Sequence, residues 1–150
     1  MRDRRFVAAH RGGPLGLDTH RLLAAWAARC AEHVVHFCPD ARAQRAIEAA
    51  KMWAKGRISV GDARRAAIAA HAAARESRSD AARAAARAAG HAAATAHMAD
   101  HSLGPALYGV KAAEAGTGSG KAERSWQLRQ LAPTIRPFVV SALEQRVTRR

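Results

Sequence analysis

Forty of the 150 residues are alanine, and this feature constrains the fold most. Alanine is the best helix former and loses no side-chain entropy in a helix. Leu, Ile, Val and Phe together number only 24. Low apolar content combined with a net charge of +13 is otherwise the composition of a disordered chain. The alanine tracts decide against disorder, because caps and breakers fall where helices need them. Small residues also let helix axes approach closely, so a core forms with few large side chains.

Residues 1–17 contain Gly12, Gly13, Pro14 and Gly16 and read as an irregular basic arm. Residues 18–150 read as a single helical domain of ordinary size. Asp18 caps a first helix running to about Phe37, with Leu22 or Leu23, Trp26, Cys30, Val34 and Phe37 in one apolar stripe. Pro39 ends it. Asp40 caps a second helix, which Gly56 ends. Ser59 with Asp62 resembles a capping box for a third helix to about Arg75, and Ile58 can staple onto Ala63. A fourth helix is expected from Asp80 or Ala81 to about Leu103, broken or kinked by Gly104-Pro105. A short helix to about Ala115, a flexible loop over residues 116–120, and two last helices over about 122–131 and 134–146 complete the chain. No window alternates as a strand would. The expected fold is all-α, a compact bundle of six or seven helices.

No run of about 18 apolar residues is present, which excludes a transmembrane helix, and no apolar core follows the basic start as in a secretory signal. Cys30 and Cys38 are separated by two helical turns, too far for a bridge within one straight helix. A reduced, cytoplasmic protein is expected, as a monomer or an oligomer.

Several blocks resemble, in order, a bacterial immunity-like family of polymorphic-toxin systems. Ala9-His10-Arg11-Gly12-Gly13-Pro14-Leu15 is similar to its opening. His20-Arg21-Leu22-Leu23, Trp26-Ala27 and Cys30 to Val34 resemble its first helix. Ala46-Ile47-Glu48-Ala49 with Trp53, Ile58 to Arg64, and Ala69 to Arg75 resemble the next two. Ala88 to Ala92 with Ala96 to Gly104 resemble the fourth, and Glu123-Arg124, Trp126-Gln127 and Leu131 the final segment. The resemblance spans about residues 8–140. It implies a small helical protein that binds and neutralises a protein toxin or a small toxic molecule without catalysis. It carries over no catalytic residue.

Histidine is the residue type most suggestive of chemistry. His97 and His101, four apart, project from one side of the expected fourth helix. That spacing can chelate zinc or another divalent metal, although no cofactor is demanded. Met98 stands where a metalloprotease motif carries glutamate. His71 approaches if the third and fourth helices pack antiparallel. Tyr108 lies about three turns beyond His97 on nearly the same face if the helix continues through Pro105, so His97, His101 and Tyr108 can line one pocket. His91, Thr95, Met98 and Ser102 form an adjacent stripe. The same residues can equally be buried side chains bonded to carbonyls. The candidate ligand-binding residues are therefore His71, His91, Thr95, His97, His101 and Tyr108, with His97 and His101 as the metal pair. Cys30, His33 and Cys38 do not share a face.

Gly116-Thr117-Gly118-Ser119-Gly120-Lys121 only imitates a phosphate-binding loop. Ala115 stands at the motif's first glycine and Ala122 at its Ser or Thr. The positive charge would attract nucleic acid. Seven aromatic residues and no recognition segment make nucleic acid the least favoured partner. An inhibitor of a basic nuclease is expected to be acidic, so the charge points to a target with an acidic surface, or to apolar contact. Trp26, Trp53 and Trp126 are either interface anchors or core fillers.

Overall fold

A computed structural model describes residues 2–148. Its α-helices are α1 (Leu17–Val34), α2 (Ala41–Ala54), α3 (Val60–Glu76), α4 (Asp80–Ala94), α5 (Gly104–Thr117), α6 (Gly120–Arg129) and α7 (Arg136–Thr148). The expected all-α bundle is what forms. Among the described residues the only pairing of β type is an isolated bridge between Ala8 and Leu15.

Local chemistry sets most boundaries. The Asp40 side chain accepts from the Arg42 N–H at the start of α2, and Gly56 lies beyond its end at a φ of 72°. Ser59 Oγ accepts from the Asp62 N–H and Asp62 accepts from the Ser59 N–H, closing a full capping box on α3. Ile58 packs against the cluster that contains Ala63.

α4 is the axis of the bundle and packs against α1, α2, α3 and α5. Ala82, Ala84, Ala85, Ala86, Ala88, Ala89, Ala92, Ala93 and Ala94 are all buried along it. An alanine helix buried on most faces is a thin rod, and four neighbours close on it because interaxial distance follows side-chain size. The large apolar residues gather instead in a second cluster built on Phe6, Leu23, Trp26, Leu103, Ile135, Val139 and Leu143. Trp26 and Trp53 are core residues, 2% and 7% exposed.

Three boundaries differ from expectation. α4 stops at Ala94, nine residues early. The Thr95 hydroxyl donates back to the His91 carbonyl and Met98 is extended, at φ −145° and ψ 109°. A 3-10 turn over Ala99–Leu103 follows, and Gly104-Pro105 opens α5. Proline is suited to a first helical turn, where its missing N–H has no helical partner. α1 starts at Leu17 behind Gly16, with Asp18 in its first turn and not at the cap. The Gly-rich connector is short, because α5 runs through Gly116 to Thr117 and α6 begins at Gly120. Gly118 turns the chain at a φ of 73°.

The arm is ordered. Two 3-10 turns, Arg4–Phe6 and Ala9–Arg11, fold back on the bundle. Phe6 is fully buried and meets Phe138 of α7 edge-on at 5.4 Å. No helix among the described residues is long and apolar enough to cross a membrane. Arg149 and Arg150 lie outside the described residues.

Candidate functional site

Two glycines make room for a row of histidines. A β-carbon at Gly90 of α4 would fall 2.7 Å from the His71 ring, and one at Gly104 would fall 2.5 Å from His91 Cγ. With no side chain at either point, His71 of α3, His91 of α4 and the 3-10 turn can pack ring to ring. The ring centres of His71 and His91 are 5.1 Å apart, those of His91 and His101 5.2 Å, and those of His101 and His97 5.3 Å. Tyr108 of α5 stacks on His91 at 5.3 Å.

Hydrogen bonds fix part of the row. Arg87 donates to His71 Nδ1 at 2.8 Å, so that nitrogen is an acceptor. His91 Nδ1 and His101 Nδ1 share one proton at 3.2 Å, one ring donating to the other. Burial is the first cause pushing all four imidazoles toward the neutral form. His91 falls to about 3, helped by the adjacent histidines and by Arg87 and Arg146. His71 falls to about 4, with Arg87 the second cause. His97 and His101 are lowered in the same way, against an opposing pull from Asp100.

The row opens on a cleft of about 330 Å³ lined by His91, His101, Tyr108, Asp100, Lys111 and Arg146, among others. A neighbouring cleft of about 550 Å³ shares Asp100 and Arg146 and adds Arg2, Asp3, Arg5 and Gln145. Arg2 Nε approaches Asp100 Oδ2 at 3.5 Å, while Asp100 Oδ1 is buried without a hydrogen-bond partner.

The expected pocket of His97, His101 and Tyr108 is therefore redrawn, because the helix that was to carry all three breaks at Thr95. His91 takes the place of His97, whose ring lies beyond His101, outside that cleft's lining, with Nδ1 buried and unpartnered. His71 sits behind His91. Thr95 is fully buried, and its carbonyl accepts from His20 Nε2 at 2.5 Å. His97 and His101 are not an i, i+4 pair on a continuous helix, and their rings are tilted 58° to each other. No group of three or more His, Cys, Asp or Glu among the described residues is placed to hold a metal ion.

Sequence reasoning missed two features. One is the basic wall of Arg2, Arg5 and Arg146, contributed from opposite ends of the chain. The other is a pair 90 residues apart. Glu123, 8% exposed, accepts from His33 Nδ1 at 2.7 and 2.9 Å. The His33 ring lies flat on Trp126, with centres 3.5 Å apart and planes within 5°. Gln127 of the same helix donates to the Ala106 carbonyl, and its own carbonyl accepts from Trp26 Nε1, both at 2.9 Å. These contacts hold α6 against α1 and α5. No local spacing announces them.

A family model described as Imm-5 like putative immunity protein matches residues 13–134. The chain belongs to that family. The match takes in α1 to α6 with the histidine row and both spacing glycines. Arg2 and Arg5 of the arm and Arg146 of α7 lie outside it. Comparison with curated proteins and with solved structures returned no match.

Proposed function

We propose that this protein is an immunity protein that neutralises a protein toxin by occupying its surface, without catalysis. The carrying observation is membership of the Imm-5 like family over residues 13–134. The surface supports the reading. Val60, Arg64 and Ile68 stand four apart on α3 and so share one face. All three are exposed, Val60 at 41% and Ile68 at 60%. Arg65 and Arg75 extend the basic surface of the same helix. Two apolar side chains around an arginine suit a partner with apolar depressions in an acidic field. The +13 charge fits such a partner and repels a basic nuclease. Steering by this charge also speeds association with an acidic toxin at low salt.

The test is a titration of the purified protein with the toxin encoded beside its gene. A saturable complex is expected. Ile68→Asp together with Arg64→Glu should weaken it at least about tenfold, a modest loss for a central interface pair. A complex unaffected by the double substitution removes α3 from the interface, and the absence of any complex removes the immunity reading.

A further inference from the structure

We propose that the two clefts meeting at Asp100 and Arg146 form one binding site for a small phosphate monoester that also carries a hydroxyl or amino group. The inference goes beyond the immunity reading and does not depend on it. Volumes of about 330 and 550 Å³ suit a small metabolite, such as a sugar phosphate. The walls come from the arm, α4, the 3-10 turn, α5 and α7.

Charge selects the ligand class. Arg2, Arg5, Lys111 and Arg146 bring four positive charges to the lining, and Asp3 and Asp100 bring two negative ones. Both acids already face a guanidinium: Arg5 holds Asp3 through two nitrogens, at 2.6 and 3.0 Å, and Arg2 approaches Asp100. His91 and His101 are held neutral and add no charge at neutral pH. The surplus of two positive charges is balanced by a phosphate dianion and only half balanced by a carboxylate. Arginine is the side chain best shaped for phosphate oxygens.

The second half of the ligand follows from Asp100. Its Oδ1 is buried and has no donor. A carboxylate oxygen is costly to leave unsatisfied, and a hydroxyl or amino group on the same molecule supplies the donor once the carboxylate turns toward the cleft. Leu107 and Tyr108 give the carbon skeleton an apolar wall, and Lys111 lies over the Tyr108 ring at 5.1 Å.

The experiment is isothermal titration calorimetry on the full chain at low ionic strength, with ribose 5-phosphate, ribose and inorganic phosphate as probes. Ribose 5-phosphate should bind one to one. Ribose should give no heat, and inorganic phosphate should bind about tenfold more weakly for want of the hydroxyl donor. Arg146→Gln, at an exposed position of α7, should cost about tenfold or more for both phosphates while the circular dichroism spectrum stays the same. Asp100→Ala should bring ribose 5-phosphate and inorganic phosphate to similar affinity. No saturable binding of either phosphate overturns the proposal, as does binding indifferent to Arg146→Gln. A single-stranded oligonucleotide that binds through Arg146 more tightly than ribose 5-phosphate also overturns it, by assigning the cleft to a nucleic-acid backbone. None of these outcomes bears on the toxin complex.

Discussion

Acidification should destabilise this protein through its histidine row before its carboxylates titrate. The folded state holds His91 at about 3, whereas an unfolded chain holds histidine near 6.5. The unfolded state therefore binds more protons across that window, and stability rises with pH. The contribution is complete above the unfolded value and is lost as pH falls toward the folded ones. At pH 5.5 the unfolded His91 is favoured by a factor of about 11, worth about 1.4 kcal/mol. His71, at about 4, shifts in the same direction but is more exposed, so screening cuts its share to about half of that. His97 and His101 add to it in the same direction. The sum is about 2 kcal/mol between pH 7.5 and 5.5, or about 4–8 °C in Tm for a chain of this length. The assay is thermal unfolding followed by circular dichroism at fixed ionic strength, on the native protein and on His91→Gln. The variant should lose more than half of the pH dependence. A native Tm flat over this range, or a variant as pH-sensitive as the parent, would rule out the histidine row as the source.

Four further outcomes follow from packing. Gly104→Ala places a β-carbon 2.5 Å from the root of the His91 side chain, which cannot swing aside, and should destabilise by about 1–3 kcal/mol in denaturant titrations. Gly61→Ala, which meets nothing closer than 3.7 Å, should instead stabilise by about 0.5 kcal/mol. Trp26→Ala removes the largest fully buried side chain and its hydrogen bond to the Gln127 backbone carbonyl; a loss of about 3–5 kcal/mol is expected by the same titration. Glu123→Leu leaves His33 Nδ1 without its acceptor and should cost about 1–3 kcal/mol, with a shift in tryptophan emission as Trp126 loses its stacked ring.

The fold was legible where one residue decides one boundary. Ser59 with Asp62, Asp40 and Gly56 each settle a helix end by local chemistry. The end of α4 was not legible, because alanine continues to Ala96 and nothing in its pattern marks Thr95. The stop lies in a hydroxyl turned onto a carbonyl and in the extended backbone of Met98. That error carried into the site. The histidines were recognised, yet their grouping assumed one helical phase through residues 95–103, and His97 was placed where His91 stands. The glycines that seat the rings are unremarkable in sequence, since their purpose is space for side chains from other elements. Nothing in the sequence joins the arginines at its two ends. Only the folding of Phe6 and α7 onto one cluster brings Arg2, Arg5 and Arg146 to one wall.

The most direct test of the immunity reading is growth of a bacterial host expressing a candidate toxin from the neighbourhood of this gene, with and without this protein. The account predicts that the protein restores growth. Ile68→Asp with Arg64→Glu should abolish the rescue, and His91→Gln should leave it intact. A host that dies equally fast with the folded protein present would contradict the account.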